Sequence, residues 1–278
     1  MEIYIKKING IRQLFDRDKI IRTCLRMGAN RITADKIVRE VEQQLYDDMP
    51  TKKILKLIFS LLKKYKPTIN HLLDLRMGLS LMASKPEFEK FVQILLTVND
   101  FKVTPNRLLM GKCVKHEVDG IAQKNGLTYL VEVKHHKNYH SPTGLDESRI
   151  ARAVFEEVTD GYKLGKNNIR IDRAMIVTNT RFSEYAKIYG KCRNILQIGW
   201  SSPKNMQLQN MIEEKKAYPL SCIKGINHNI RAKLVNSGVV LIRQLMNANT
   251  SDLSRKSGVS KSTLRKIIEK TKDSPFWV

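Results

Sequence analysis

The dipeptide Asn125-Gly126 constrains the fold of this chain more than any other feature, because a run rich in apolar residues lies on each side of it. Asparagine and glycine both tolerate a positive φ, which a two-residue type I′ turn requires at both central positions. We therefore predict a β-hairpin in which residues 113–124 pair with residues 127–134.

The register of this hairpin places several charged residues on one face of the sheet. Counting back from the turn puts Asp119 opposite Glu132, and two residues further along Glu117 lies opposite Lys134. Since residues two apart share a face, the apolar residues should line the other face: Val118, Ala122, Tyr129, Val131 and Val133. Opposed like charges destabilise a sheet, so a divalent cation between Asp119 and Glu132 would relieve the repulsion. A solvent-facing hairpin with scattered charge is the alternative.

The pattern of Asp119 followed by Glu132-Val133-Lys134 resembles the PD-(D/E)xK nuclease superfamily. Three segments resemble the corresponding segments of a narrower group, the proteins that fuse an ATP-cone to an Mrr-like, restriction-endonuclease-like domain. These segments are residues 111–122, 177–182 and 199–203. The resemblance implies that Asp119 and Glu132 bind Mg²⁺ or Mn²⁺, which neutralises developing charge. It also implies that Lys134 polarises the attacking water or stabilises the phosphorane.

Glu89 is a further candidate for this site. The segment from Pro86 to Leu96 predicts a helix with an inward apolar stripe, and Glu89 falls beside that stripe. In Mrr-like nucleases a Phe-Glu pair on the first helix offers its carboxylate to the metal, and Phe88-Glu89 matches that pair. A solvated helix glutamate is the alternative. The histidines after the hairpin are interpreted as polar loop groups near the site: His135, His136 and His140.

Residues 1–84 contain a short predicted strand, an Asn9-Gly10 turn and predicted helices. Several of their residues resemble the ATP-cone, a nucleotide-sensing module: Ile5 to Gly10, Phe15-Asp16, Lys19-Ile20, and Thr51 before Ile54. The resemblance implies a site for ATP or dATP, with Ile5 at the base, Lys7 and Lys19 at the phosphates, and Thr51 at the nucleotide. Ile8 departs from the pattern, because many cones have a basic residue there. A small helical domain with ordinary surface lysines is the alternative.

The segment 219–278 is the most densely basic part of the chain, with eleven basic and three acidic residues. Helices are predicted at 229–237, 240–248, 250–256 and 260–272. They resemble helix–hairpin–helix modules, in which a glycine-containing turn aims helix N-termini at a phosphate. The resemblance implies DNA phosphate contacts from Lys261, Arg265 and Lys266. A helical protein-interaction or dimerisation domain is the alternative.

The net charge of +23 is spread over the whole chain and implies a polyanionic partner, most simply DNA. Contact with a membrane surface or with the ribosome is the alternative. No apolar run approaches the roughly 18 residues of a membrane span, so we expect no transmembrane helix and no membrane partner. The four cysteines are widely spaced, which predicts a reducing, cytoplasmic setting and no zinc site.

These features predict a multidomain α+β and α/β protein. Residues 1–84 form an ATP-cone of a β-hairpin plus helices, residues 85–218 an α/β sandwich with a mixed sheet and a helix at 145–163, and residues 219–278 a small all-α domain. We expect a metal-dependent DNA endonuclease with a nucleotide effector, working as a homo-oligomer of two or more copies. A non-cleaving, nucleotide-regulated DNA-binding protein and a structure-specific repair or Holliday-junction nuclease are the alternatives.

Overall fold

The computed structural model describes residues 2–7, 10–27, 29–65 and 73–272, so that Ile8 lies outside the described residues. Its strands and helices follow in chain order: β1 (Tyr4–Lys6), β2 (Arg12–Leu14), α1 (Arg17–Arg26), α2 (Arg31–Glu42), β3 (Met49–Pro50), α3 (Thr51–Tyr65), α4 (Leu75–Ser80), α5 (Glu89–Val98), β4 (Lys102–Met110), β5 (Lys115–Lys124), β6 (Leu127–Lys134), α6 (Leu145–Lys163), β7 (Arg173–Thr178), α7 (Glu184–Cys192), β8 (Leu196–Ile198), α8 (Leu208–Glu214), α9 (His228–Asn236), α10 (Ile242–Met246), α11 (Thr250–Ser257) and α12 (Lys261–Thr271). A wide helical turn, Ser84–Phe88, leads directly into α5.

The chain divides into two compact units. The first combines Met1–Asp74 with Ile223–Gly225 and Ser262–Val278, and the second combines Leu75–Cys222 with Ile226–Lys261. The domain limits at residues 84 and 218 stay predictions. Among the helices in the described ranges, none combines the length and the apolar composition that a membrane span needs.

The first unit is built on a small three-stranded sheet. Strand β1 lies in the middle, antiparallel to β2 and parallel to β3. One buried cluster joins this sheet to the helices, with Ile5 of β1 and Met49 of β3 among its members. Asp16 caps the start of helix α1. Its side chain accepts the N–H of Lys19, because the first turn of a helix leaves such donors unpaired. A hairpin followed by helices is the order predicted for this segment.

The second unit is built on a five-stranded mixed sheet in the order β4-β5-β6-β7-β8. Strands β4, β5 and β6 pair antiparallel, whereas β6, β7 and β8 pair parallel. The mixed sheet is confirmed, but the sequence did not predict its edge strand β4. Proline cannot donate to a ladder and is rare inside strands, so Pro105 beside Asn106 obscures the signal of this strand.

The predicted register of the central hairpin is confirmed next to its turn. Asn125 and Gly126 have φ values of 51° and 76°, and the paired residues run from Lys124–Leu127 to Gly120–Val131. Strands β5 and β6 are described over their full length, and their regular pairs stop at Gly120–Val131, before Asp119 is reached. Instead of facing Glu132 in a regular pair, Asp119 accepts the backbone N–H of Val133 on its Oδ2 atom at 2.7 Å.

The alternation of faces along β5 breaks at the same place. Val118 belongs to one buried cluster with Ile121 and Leu130, beside helix α6. Residues three apart would lie on opposite faces of a regular strand, so the predicted placement of Val118 is wrong. The cause is local, because Asn106 on β4 has a φ of 32° and the β4–β5 pairs skip Asn106 and Asp119. An irregularity in both strands lets the faces switch without changing the register.

A buried ion pair ties helix α9 to the turn that precedes α5. Arg231 Nε lies 2.6 Å from Glu87 Oε1, and each side chain is only 7% exposed. Arg231 also donates to the carbonyl oxygen of Leu81 at 2.6 Å. The other oxygen of Glu87 accepts the N–H of Ala83 at 2.9 Å. Helix α9 and the start of the predicted nuclease segment therefore share one polar network in the second unit.

Candidate active site

The carboxylates of Glu89 and Asp119 lie beside each other, bridged by the ammonium group of Lys85. Lys85 Nζ is 3.2 Å from Glu89 Oε1 and 3.8 Å from Asp119 Oδ1. A further carboxylate, that of Glu117, lies 3.9 Å from the same ammonium. The side chains of Glu89 and Asp119 are 7% and 9% exposed, whereas that of Lys85 is 65% exposed. The buried pair is therefore accessible from the side on which Lys85 lies.

Glu132 approaches this pair from β6 and holds Lys134. Glu132 Oε1 lies 2.8 Å from Lys134 Nζ. Burial raises the pKa of Glu132, the hydrogen bond and charge of Lys134 lower it, and the negative charge of Asp119 raises it again. The structure thus places Glu89 of α5 and Asp119 of β5 side by side, with the Glu132–Lys134 pair of β6 close enough for the charge of Asp119 to act on Glu132.

The electrostatics of this cluster fit a hard divalent cation. Burial raises the pKa of Glu89, the charge of Asp119 raises it further, and Lys85 lowers it. Carboxylate oxygens are the ligands that Mg²⁺ prefers, and this ion commonly keeps several waters while binding one or two carboxylates and substrate phosphates. In the described ranges, no group of three or more His, Cys, Asp and Glu side chains is arranged to hold a metal ion without other ligands. Water and phosphate oxygens would therefore complete the coordination.

Gln93 is a residue of this site that sequence reasoning missed. Its Nε2 donates to the backbone carbonyl of Asp119 at 2.9 Å and to Asn106 Oδ1 at 2.8 Å. These bonds satisfy polar groups at the point where the β4–β5 ladder is interrupted. Gln93 lies four residues after Glu89, so both side chains project from neighbouring positions of α5. That spacing was visible in the sequence, but its relation to Asp119 was not.

The loop after β6 is fixed directly behind Lys134. The backbone N–H of His136 donates to Asn179 Oδ1 at 2.9 Å, and Asn179 Nδ2 returns a bond to the His136 carbonyl at 2.8 Å. His135 Nε2 lies 2.9 Å from the carbonyl oxygen of Leu79, and burial lowers the pKa of His135. These histidines contribute loop contacts, which agrees with their predicted role as polar loop groups.

A pocket of about 150 Å³ in the first unit contains most of the predicted nucleotide residues. Ile5, Lys19 and Thr51 line it together with mainly apolar side chains, among them Ile54 and Ile58. Within the part of the chain that the structure describes, Lys7 is exposed and does not contribute to the lining. The structure therefore brings together three of the predicted residues and leaves Lys7 outside.

The basic residues predicted to contact DNA phosphates lie on α12. Lys261, Arg265 and Lys266 are all exposed. The preceding helix α11 is followed by Gly258 as its C-terminal cap, whose φ of 66° is in the left-handed region. Glycine adopts this conformation at low cost, so the chain can turn sharply into α12.

Family models match two parts of this chain. Residues 81–198 match the model described as "Restriction endonuclease", and residues 218–273 match the model described as "AF1548-like, C-terminal". An uncharacterized protein of Archaeoglobus fulgidus is 33% identical over 178 residues, which are 64% of this chain and 96% of the relative. The chain belongs to the AF1548-like family. Its restriction-endonuclease-like domain is confirmed, and its ATP-cone stays a prediction.

A solved structure similar to this chain is described as "Crystal Structure of Protein of Unknown Function AF1548". It is 31% identical to this chain with a TM-score of 0.59, and the match covers 72% of this chain and 97% of the solved one. The solved relative therefore supports the mixed α/β fold described above.

Proposed function

We propose that this member of the AF1548-like family is a metal-dependent DNA endonuclease. The observation that carries the proposal is the cluster of Glu89, Asp119, Glu132 and Lys134 inside the region that matches restriction endonucleases, residues 81–198. A net charge of +23 supports a polyanionic substrate. Phosphodiester hydrolysis at such a cluster needs no covalent intermediate, so direct attack by water is the simplest chemistry.

Asp119 and Glu132 would hold Mg²⁺ or Mn²⁺, and Glu89 would help to place a water or a second ion. When bound, the ion supplies positive charge where the phosphate group becomes more negative. The N–H of Val133 engages Oδ2 of Asp119, which leaves Oδ1 directed at the site. Lys134 lies beside Glu132 and would orient the attacking water or stabilise the phosphorane.

The proposal is tested with a panel of linear, nicked, branched and methylated DNA. Each substrate is incubated with Mg²⁺ or EDTA, and with or without ATP or dATP. We expect strand cleavage with Mg²⁺ and none with EDTA. DNA binding without cleavage of any substrate would favour a non-cleaving DNA-binding protein, and cleavage confined to branched DNA would favour a junction nuclease.

We also propose that helix α12 contacts DNA phosphates, supported by the three exposed cations near its start. In a Lys261→Ala, Arg265→Ala, Lys266→Ala variant, the plot of log K against log salt should become shallower by about 0.9 for each lost phosphate contact. The slope is measured by fluorescence anisotropy with a labelled duplex. A control removes the same charge elsewhere through exposed lysines of α2 and α3: Lys36→Ala, Lys52→Ala and Lys56→Ala. Equal slopes for both variants would assign α12 to another role.

We propose that the pocket of the first unit binds ATP or dATP, supported by Ile5, Lys19 and Thr51 in its lining. A nucleotide that binds only the folded chain should raise its melting temperature, because a concentration of about 100 times Kd adds about 2.7 kcal/mol of stability. Lys19→Ala should remove this shift, whereas Lys52→Ala on the exposed side of α3 should keep it. Calorimetry that detects no binding to the unmodified chain at millimolar nucleotide would contradict the proposal.

Assembly into a homo-oligomer of two or more copies completes the proposed function. Large apolar side chains on α6 and α7 support it, since Ile150, Tyr185 and Ile188 are 53%, 76% and 66% exposed. A nucleotide can change this assembly only if it binds the two forms with unequal affinity. Light scattering with and without dATP measures the change.

A further inference from the structure

Lys85 contacts more carboxylates than a single ion pair requires. Its ammonium lies 3.2 Å from Glu89, 3.8 Å from Asp119 and 3.9 Å from Glu117. Three carboxylates so close together repel one another, and the repulsion is strongest between the buried pair because the dielectric constant is lowest there. The ammonium of Lys85 offsets this repulsion at the place where a cation is needed.

We propose that Lys85 is the counter-ion of the ion-free site, and that a divalent ion binds by displacing the Lys85 ammonium. The inference rests on the proposed function, because it takes Glu89 and Asp119 as ion ligands. It gives Lys85 a different task from Lys134. Lys134 pairs with Glu132 and would act in the reaction, whereas Lys85 would position the carboxylates before an ion binds and set the affinity for the ion.

The geometry allows Lys85 to leave without disturbing the core. Its side chain is 65% exposed, so withdrawal into solvent opens no buried cavity. Its backbone is extended, with φ −122° and ψ 139°, in the turn that precedes α5. A lysine side chain is a flexible point charge, and the ammonium of Lys85 reaches the buried carboxylates from the solvent side. A doubly charged ion can therefore compete with it for the same oxygens.

The test measures Mn²⁺ binding to the full chain by calorimetry, without DNA. Lys85→Met removes the charge and keeps most of the side-chain length. The variant should bind Mn²⁺ about tenfold more tightly than the unmodified chain, because no ammonium has to be displaced. Without an ion its melting temperature should be lower, and Mn²⁺ should raise that temperature more than in the unmodified chain. Lys85→Arg keeps the charge and should keep the weaker affinity.

A matched control separates local competition from the general field of a positive charge. Lys137→Met removes an exposed lysine just beyond β6 that lies outside the carboxylate cluster. If Lys85→Met and Lys137→Met change the affinity equally, or Lys85→Met weakens binding, the inference is overturned while the metal site stands. If neither the unmodified chain nor Lys85→Met binds Mn²⁺ saturably, or Asp119→Asn leaves binding unchanged, the metal site and the inference both fail.

Discussion

Asp119→Asn is expected to abolish metal-dependent DNA cleavage while DNA binding stays intact or becomes tighter. The change removes a charged oxygen from the proposed ion site but keeps the size of the side chain. We expect a rate at least about a thousandfold lower, which corresponds to about 4 kcal/mol of lost transition-state stabilisation. Removing a negative charge should not weaken the approach of phosphate. Single-turnover cleavage and binding anisotropy measure the two effects separately.

Glu132→Gln should behave like Asp119→Asn, because both carboxylates would hold the same ion. Asp160→Asn is the matched control, since Asp160 pairs with Lys163 on the exposed part of α6 and its loss removes an equal charge from the domain. This control should cleave at the rate of the unmodified chain. Cleavage at an unmodified rate by either site variant would contradict the assignment of the active site.

Arg231→Met is expected to destabilise the second unit strongly. The change leaves Glu87 as a buried carboxylate whose ionic partner is gone, and breaking a buried pair in this way costs about 3–5 kcal/mol. Urea unfolding followed by circular dichroism measures the loss in the free energy of unfolding. Arg255→Met breaks an exposed pair with Asp252 and should cost less than about 1 kcal/mol.

A double variant keeps this prediction testable when Arg231→Met alone does not fold. Glu87→Gln combined with Arg231→Met removes both charges, and the glutamine oxygen can still accept the N–H of Ala83. Replacing both partners of a buried pair is often close to neutral, so the double variant should regain most of the lost stability. A double variant as unstable as the single one would show that packing of Arg231, and not its charge, stabilises the unit.

The Arg231–Glu87 ion pair makes a deletion of the C-terminal helices unsuitable for measuring their DNA contacts. Deleting residues 219–278 would remove Arg231 together with Lys261, Arg265 and Lys266, and would leave Glu87 without its partner. The loss of DNA affinity would then be mixed with a loss of stability. Point variants on α12 avoid this, because their side chains are exposed.

The sequence alone determined the local parts of this protein. Asn125-Gly126 fixes a type I′ turn by its own backbone preferences, and the turn fixes the register as far as Gly120–Val131. Helix α6 was predicted at its observed limits, Leu145–Lys163, because its apolar residues recur at helical spacing. Residue type, spacing and resemblance also indicate the candidate ligands Glu89, Asp119 and Glu132.

Only the tertiary structure decided what surrounds those ligands. The alternation of faces along β5 breaks between Val118 and Ile121 because of an irregularity shared with Asn106 on β4. The sequence of β4 itself gives only a weak strand signal. Gln93 reaches Asp119 across two elements, and such contacts depend on how a helix packs on a sheet. Lys85 meets Glu89 four residues later in the chain, but it meets Asp119 and Glu117 only because β5 packs beside the turn that precedes α5. Turn chemistry acts over a few neighbouring residues. The contacts of Gln93 and Lys85 with β5 join residues distant in sequence, so the chain must pack before they exist.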